Sequence, residues 1–371
     1  MNAILKFLSE LFSLNESQDS ALRSSQTNVI TSLHGPPGTG KTLVSVVIII
    51  ARLWINILYK DECPMLVTAQ TNVAVDNLLK KFHGALKTIQ AATDEQRQRL
   101  PNNCREVMRT ILNGYLRDAP SASKVGRLHG SNFEVDPQTV NFIYSFDPLK
   151  GIYSNLRLLF TTVDMVILKS CGERSPFGKF KSVLIDEASC LSITKFNALR
   201  SCLDGIKWLT VAGDENQLGG FIADHMRAVE SDEEVTVSDV PEKQNFQNFE
   251  AGILAISLMD VTKAFCSGTR TTLHISYRGP SGLYDYVFNN FYSDVRCAKT
   301  SNARPRLVYA ESKSAVKRGE SWMNEGHVAH IKREFTNHSD EEQKKITILT
   351  PYTAQKRLLL YHYGTICYPR N

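Results

Sequence analysis

The spacing in Gly35-Pro36-Pro37-Gly38-Thr39-Gly40-Lys41-Thr42 suits phosphate binding. Glycines let consecutive backbone N–H groups close around an anion without Cβ clashes, and a helix N-terminus adds partial positive charge. An apolar run, Val29–Leu33, precedes the segment and an apolar helical pattern follows it. That strand–loop–helix context argues against the bland alternative, a glycine-rich turn with no ligand. In such a loop Lys41 reaches the β- and γ-phosphates of a nucleotide, and the Thr42 hydroxyl ligates magnesium.

A second constellation is Val183-Leu184-Ile185-Asp186-Glu187. An apolar strand ending in two acids puts carboxylates at the C-terminal edge of a sheet, where α/β proteins bind ligands. Asp186 is the candidate for holding magnesium through water. Glu187 is the candidate for orienting and deprotonating an attacking water. A surface turn is the alternative for an isolated Asp-Glu pair. A third strand, Trp208–Val211, leads into Gly213-Asp214-Glu215-Asn216-Gln217. Gln217 could sense a γ-phosphate there, supported by Asp214, although on these residues alone a Gly-Asp turn at a strand end is the better reading. At Thr68–Asn77, Thr71 and Asn72 could bond a nucleic-acid backbone, although taken alone simple N-capping of a helix is the better reading.

These residues need a sheet to gather them. Buried runs at Val29–Leu33, Met65–Thr68, Leu158–Phe160, Ser182–Ile185 and Trp208–Val211 alternate with helical patterns. That alternation predicts a doubly wound α/β fold with a parallel sheet. A second set, Thr271–Ile275, Arg306–Val308 and Lys345–Thr350, predicts another α/β unit. Residues 84–155 read as a partly helical insertion, and the acidic stretch 224–250 as a loop. A hinge near Leu258–Lys263 divides a domain of residues 1–262 from one of residues 263–371.

Composition narrows the classes. The 371 residues are 42% hydrophobic, which excludes a mainly disordered chain. No two of the eight cysteines are close enough for a zinc knuckle, and a reduced cytoplasmic or nuclear chain, not a secreted one, is expected. Leu43–Leu58 is interrupted by Ser45, Arg52 and Asn56, so no membrane partner is expected. The formal net charge of +5 is uneven, because residues 263–371 carry 17 Lys/Arg against 9 Asp/Glu. A cluster at Arg296, Lys299, Arg304, Arg306, Lys313, Lys317 and Arg318 could follow a phosphate backbone or be a solvated face.

Together the segments resemble superfamily 1 helicases of the up-frameshift type. Leu14–Ala21 resembles that family's adenine-reading Q motif. The phosphate loop, Thr71-Asn72-Val73-Ala74-Val75-Asp76, Phe160-Thr161-Thr162, Asp186-Glu187-Ala188-Ser189 and Gly213–Leu218 follow in the family's order. So do Ser257-Leu258-Met259, Ser276-Tyr277-Arg278 and Leu349–Gln355. The resemblance implies a P-loop NTPase with a RecA-like parallel sheet flanked by helices, and a second, incomplete RecA-like domain. It implies that Gly35, Pro36, Pro37, Gly38, Thr39, Gly40, Lys41 and Thr42 bind ATP, with Gln18 bonded to adenine and Tyr277 stacked on it. Arg278 would stabilise γ-phosphate charge, acting with Lys41, Asp186, Glu187 and Gln217. Thr71, Asn72, Thr161, Thr162, Thr350, Pro351, Tyr352 and Gln355 would contact single-stranded RNA or DNA. Mg2+ would be held by Thr42 and Asp186.

Departures from the family pattern accompany this match. Gly279-Pro280-Ser281 follow Tyr277-Arg278 where the family has Met-His-Pro, and Gly219-Gly220 follow Gln217-Leu218 where it has proline. The chain stops at Asn371, before the family's last motifs. The leading expectation is an ATP-dependent RNA/DNA helicase or translocase, monomeric, hydrolysing ATP in an inter-domain cleft while gripping one strand. A catalytically weakened ATP- and nucleic-acid-binding regulatory module or fragment is the alternative. A ring-forming AAA+ ATPase is the minor one, disfavoured by Gln18 and Thr350-Pro351-Tyr352.

Overall fold

The computed structural model describes residues 1–61, 63–116, 124–130, 144–145, 156–170, 175–217, 256–302, 315–319, 321–343, 345–346 and 348–363. They fall into two compact units, Met1–Ala303 and Arg304–Asn371. The strands are β1 (Ile30–His34), β2 (Met65–Ala69), β3 (Val125–Leu128), β4 (Tyr144–Ser145), β5 (Leu158–Thr162), β6 (Ser182–Ile185), β7 (Trp208–Gly213), β8 (Arg270–Thr272), β9 (Ile275–Pro280), β10 (Arg296–Lys299), β11 (Ala315–Arg318) and β12 (Ser321–Asn324). The helices are α1 (Asn2–Leu11), α2 (Glu16–Thr27), α3 (Lys41–Leu58), α4 (Asn72–Gln90), α5 (Asp94–Gln98), α6 (Asn102–Tyr115), α7 (Val163–Lys169), α8 (Ile193–Ser201), α9 (Leu258–Phe265), α10 (Ser281–Phe291), α11 (Glu325–Thr336), α12 (Asp340–Gln343) and α13 (Thr353–Tyr363).

Unit one is an α/β fold around an eight-stranded sheet of order β4-β3-β5-β2-β6-β7-β1-β8. Every neighbouring pair in it is parallel. Strands buried on both faces read as unbroken apolar runs, which is why β2, β5 and β6 were visible in the sequence. The insertion contributes more than helices: β3 pairs with β5 inside the main sheet. Arg127 disguised that strand. Its guanidinium is fully buried, and its Nε donates to Asp76 Oδ1 at 2.7 Å.

Helix α3 follows the phosphate loop and is long and apolar enough to cross a membrane. In this fold it is a core helix, buried from Val44 to Asn56. Its Arg52 bonds the Ser25 carbonyl and stacks on Trp208 at 4.0 Å, and burial lowers its pKa to about 10. On the neighbouring α4, burial pushes the His83 ring down to about 4, with Lys87 adding repulsion. The unfolded chain takes up this proton near 6.5 while the folded chain refuses it. Stability is therefore full above that value and is lost as pH falls towards 4. Urea midpoints should drop between pH 7 and pH 5, and His83→Leu should flatten that drop. An unchanged pH dependence in the variant contradicts this.

The expected hinge near Leu258–Lys263 is not a boundary. It is α9, with Leu258 and Met259 buried and Thr262 Oγ1 bonded to Ser32 Oγ at 3.0 Å. The first unit extends to Ala303 because β8 adds to β1, and because β9 docks on the phosphate loop. The expected strand Thr271–Ile275 is split between β8 and β9. Arg306–Val308 and residues 224–250 lie outside the described residues, and Lys345–Thr350 forms no strand among those described. In unit two, the described residues form the antiparallel hairpin β11–β12 with α11, α12 and α13. A second parallel sheet does not form among them.

Candidate nucleotide site

The strand order gathers the motifs at one edge. β1 runs into Gly35, β7 into Asp214 and β6 into Asp186, and these three strands are adjacent. Gly38 and Gly40 adopt φ of +79° and +83°, a region that β-carbon-bearing residues avoid. Five of the loop's carbonyls, Pro36 to Gly40, are engaged in hydrogen bonds. Pro36 O accepts from Thr39 N and Oγ1, Pro37 O from Ser276 Oγ at 2.9 Å, and Gly38 O from Tyr277 N at 2.9 Å. Thr39 O accepts from Gln18 Nε2 at 3.0 Å, and Gly40 O from Val44 N at 3.0 Å. The amides of Gly38, Gly40, Lys41 and Thr42 have no partner among the described residues. Engaged carbonyls and unengaged amides at a helix N-terminus make an anion site.

Lys41 Nζ stands 4.0 Å from Asp186 Oδ1. Asp186 is buried, and loss of solvent raises its pKa, against the opposing pull of Lys41 and of the Glu187 amide that donates to Oδ1 at 3.0 Å. Glu187 sits at φ +53°, left-handed backbone in a residue with a β-carbon. Such strain clusters at functional turns. Burial, then the Asp186 charge, raises the Glu187 pKa. The donor set fits a magnesium ion that takes most of its ligands from water and nucleotide: one hydroxyl, Thr42, and one carboxylate, Asp186. No all-protein cluster of three His, Cys, Asp or Glu side chains occurs among the described residues.

Other expected site residues are placed as follows. Gln217 Nε2 donates to Asp214 Oδ2 at 2.8 Å, so Asp214 does support it. Arg278 is exposed, with its Cβ against Gly38 and no ion pair among the described residues. Tyr277 is half-exposed, and its hydroxyl accepts from Asn15 Nδ2 at 2.9 Å. Gln18 differs from expectation. Its amide is buried, with Oε1 accepting from Asn15 N and Nε2 donating to Thr39 O. It clamps the phosphate loop to the capped start of α2. Pro36, Pro37 and Thr39 complete the loop.

The expected strand contacts diverge. Thr71 N-caps α4, and its hydroxyl lies 3.5 Å from Glu187 Oε2. Asn72 Oδ1 accepts from Arg127 Nη2 at 2.8 Å. Thr161 is fully buried beside Thr68 in the β2–β5 ladder, so it has no surface to offer a strand. Thr162 is buried and caps α7. In unit two, Thr350, Pro351, Tyr352 and Gln355 line a groove of about 450 Å³ with Trp322 and Asn324. Gln355 is buried there, pairing both ends of its amide with the Asn324 backbone, so it builds the groove without reaching out of it.

His34 and Tyr292 escaped sequence reasoning, as did the bond of Ser276 to Pro37 O, because long-range side-chain bonds leave no spacing signal. The packing of β9 on the loop gives a direct test. A β-carbon at Gly38 would overlap Arg278 Cβ and come within 2.6 Å of Ser276 Oγ. Gly38→Ala should cost about 1–3 kcal/mol of stability and abolish nucleotide binding. Thermal unfolding and nucleotide titration check both effects.

The parallel sheet, phosphate loop and paired acids define a P-loop NTPase of the RecA-like α/β class. Residues 13–125 match the AAA domain family. The ATP-dependent helicase upf1 of Schizosaccharomyces pombe is 27% identical over 232 residues, 59% of this chain and 23% of that protein. The regulator of nonsense transcripts 1 homolog of Arabidopsis thaliana is 25% identical over 380 residues, 94% of this chain and 27% of that protein. A solved structure of arterivirus nonstructural protein 10 (helicase) with DNA is 14% identical, covers 81% of this chain and 48% of that one, and has a TM-score of 0.33. The chain is similar in sequence to these two up-frameshift-type proteins, and it spans about a quarter of their length.

Proposed function

We propose that this chain is an ATP-dependent motor on single-stranded RNA or DNA, with hydrolysis in unit one. The observation that carries the reading is the phosphate loop's hydrogen bonding, with five carbonyls engaged and four amides left for an anion. Lys41 neutralises charge on the β- and γ-phosphates. Thr42 and Asp186 would hold magnesium, which would supply further charge neutralisation when bound. Glu187 takes the proton of the attacking water, a task suited to its raised pKa. Gln217 and Arg278 contact the γ-phosphate, and Tyr277, beside the start of α2, packs against the base.

The strand is gripped without reading its sequence. In unit two, half-exposed Trp322 and Tyr352 offer stacking surfaces, and exposed Lys317 and Arg318 follow phosphates. The test is steady-state ATPase activity with and without single-stranded RNA or DNA oligonucleotides. Stimulation that weakens with added salt is expected. No stimulation by either polymer overturns the strand-coupled reading.

A further inference from the structure

The Asp214 carboxylate is fully buried, and four groups converge on it. Oδ2 accepts from Gln217 Nε2 at 2.8 Å and from the Tyr292 hydroxyl at 2.7 Å. Oδ1 accepts from Asn216 N at 3.2 Å and lies 3.2 Å from His34 Nε2. The His34 and Tyr292 rings stack at 6.3 Å between centroids. A second bond ties the same turn, from Asn216 Nδ2 to Phe291 O at 2.7 Å. The C-terminal end of α10 therefore holds the Gly213–Gln217 turn at two points.

The other end of this element holds the phosphate loop. Strand β9 leads directly into α10, and its Ser276 and Tyr277 bond the carbonyls of Pro37 and Gly38. One strand and one eleven-residue helix thus span from the loop to the Gln217 turn, carrying Arg278 between them. The carboxylate also fixes how Gln217 is presented. An amide can turn either end inward, but a carboxylate accepts only from the NH2 end. With one amide hydrogen on Asp214, the second is directed away as a donor. That is the polarity a γ-phosphate requires.

We propose that Tyr292 is a positioning residue for γ-phosphate recognition. Through Asp214 it holds the Gln217 amide in donor orientation, and so links the Arg278-bearing element to the nucleotide state. Resting on the ATP-binding reading above, this assigns discrimination between ATP and ADP to a residue that does not touch the nucleotide. A merely structural Tyr292 would affect both nucleotides alike.

The experiment is equilibrium titration of the whole chain with ADP and with a non-hydrolysable ATP analogue. Wild type, Tyr292→Phe, Asn216→Ala, Gln217→Ala and the Tyr292→Phe/Gln217→Ala double variant are compared. Tyr292→Phe should weaken the analogue about tenfold and leave ADP within about twofold. Asn216→Ala cuts the second tie at an exposed side chain and should show the same selectivity. In the Gln217→Ala background, Tyr292→Phe should add less than about twofold, because the residues act as one unit. Equal weakening of both nucleotides, or an undiminished Tyr292 effect without Gln217, overturns the proposal alone. A wild-type chain that binds neither nucleotide overturns it together with the ATP-binding reading.

Discussion

Lys41→Ala is expected to slow ATP turnover by about 10²–10³-fold, the usual consequence of removing one preorganised charge from a transition state. The side chain lies at the first turn of α3, with its ammonium 4.0 Å from Asp186. The apolar packing of α3 begins at Val44, so the fold should survive the change. Two effects add. The β- and γ-phosphates lose their cation, and Asp186 loses the charge that opposes the upward push of burial on its pKa. Asp186 then loses a favourable interaction with its ionised form, the form that would help hold magnesium. Magnesium-dependent nucleotide binding should weaken along with turnover, and titration with and without magnesium reads the two effects apart. A variant that turns over at the wild-type rate places hydrolysis elsewhere.

Glu187→Gln should behave differently, losing about 10²–10⁴-fold in turnover while still binding ATP. Glutamine keeps the size of the side chain and lacks only the ability to accept the proton. Burial and the adjacent Asp186 raise the Glu187 pKa, so the ionised base appears at higher pH than for an ordinary glutamate. The wild-type rate should therefore rise with pH across a limb displaced upward from the usual carboxylate range. That limb should be missing from the residual activity of the variant. Single-turnover rates across a pH series measure both features. A variant that keeps the same acid limb removes Glu187 from the role of base.

The parts of the fold legible in the sequence are those where local pattern and tertiary role coincide. β2, β5, β6 and β7 are buried on both faces and show as apolar runs, and the phosphate loop carries its backbone requirement in Gly38 and Gly40. β3 was hidden because Arg127 lies inside it, neutralised by Asp76 from α4, a partner far away in sequence. Thr161 illustrates a second limit. Spacing places it at the end of β5, but only the covering of the sheet's faces decides that its side chain is buried. The domain boundary failed for a third reason. The acidic stretch before Leu258 looked like a linker, yet α9, β8 and β9 pack back onto β1 and the phosphate loop. Gln18 was legible as a site residue, but its role as a clamp on Thr39 was visible only in three dimensions.

The central claim is that the loop, Lys41, Asp186 and Glu187 form a working hydrolytic site. Single-turnover conversion of γ-labelled ATP by the whole chain in excess, with magnesium, tests it most directly. Wild type is expected to release labelled phosphate at least about 10²-fold faster than Lys41→Ala or Glu187→Gln. Equal rates for the three proteins, at concentrations where each is shown to bind ATP, would contradict it.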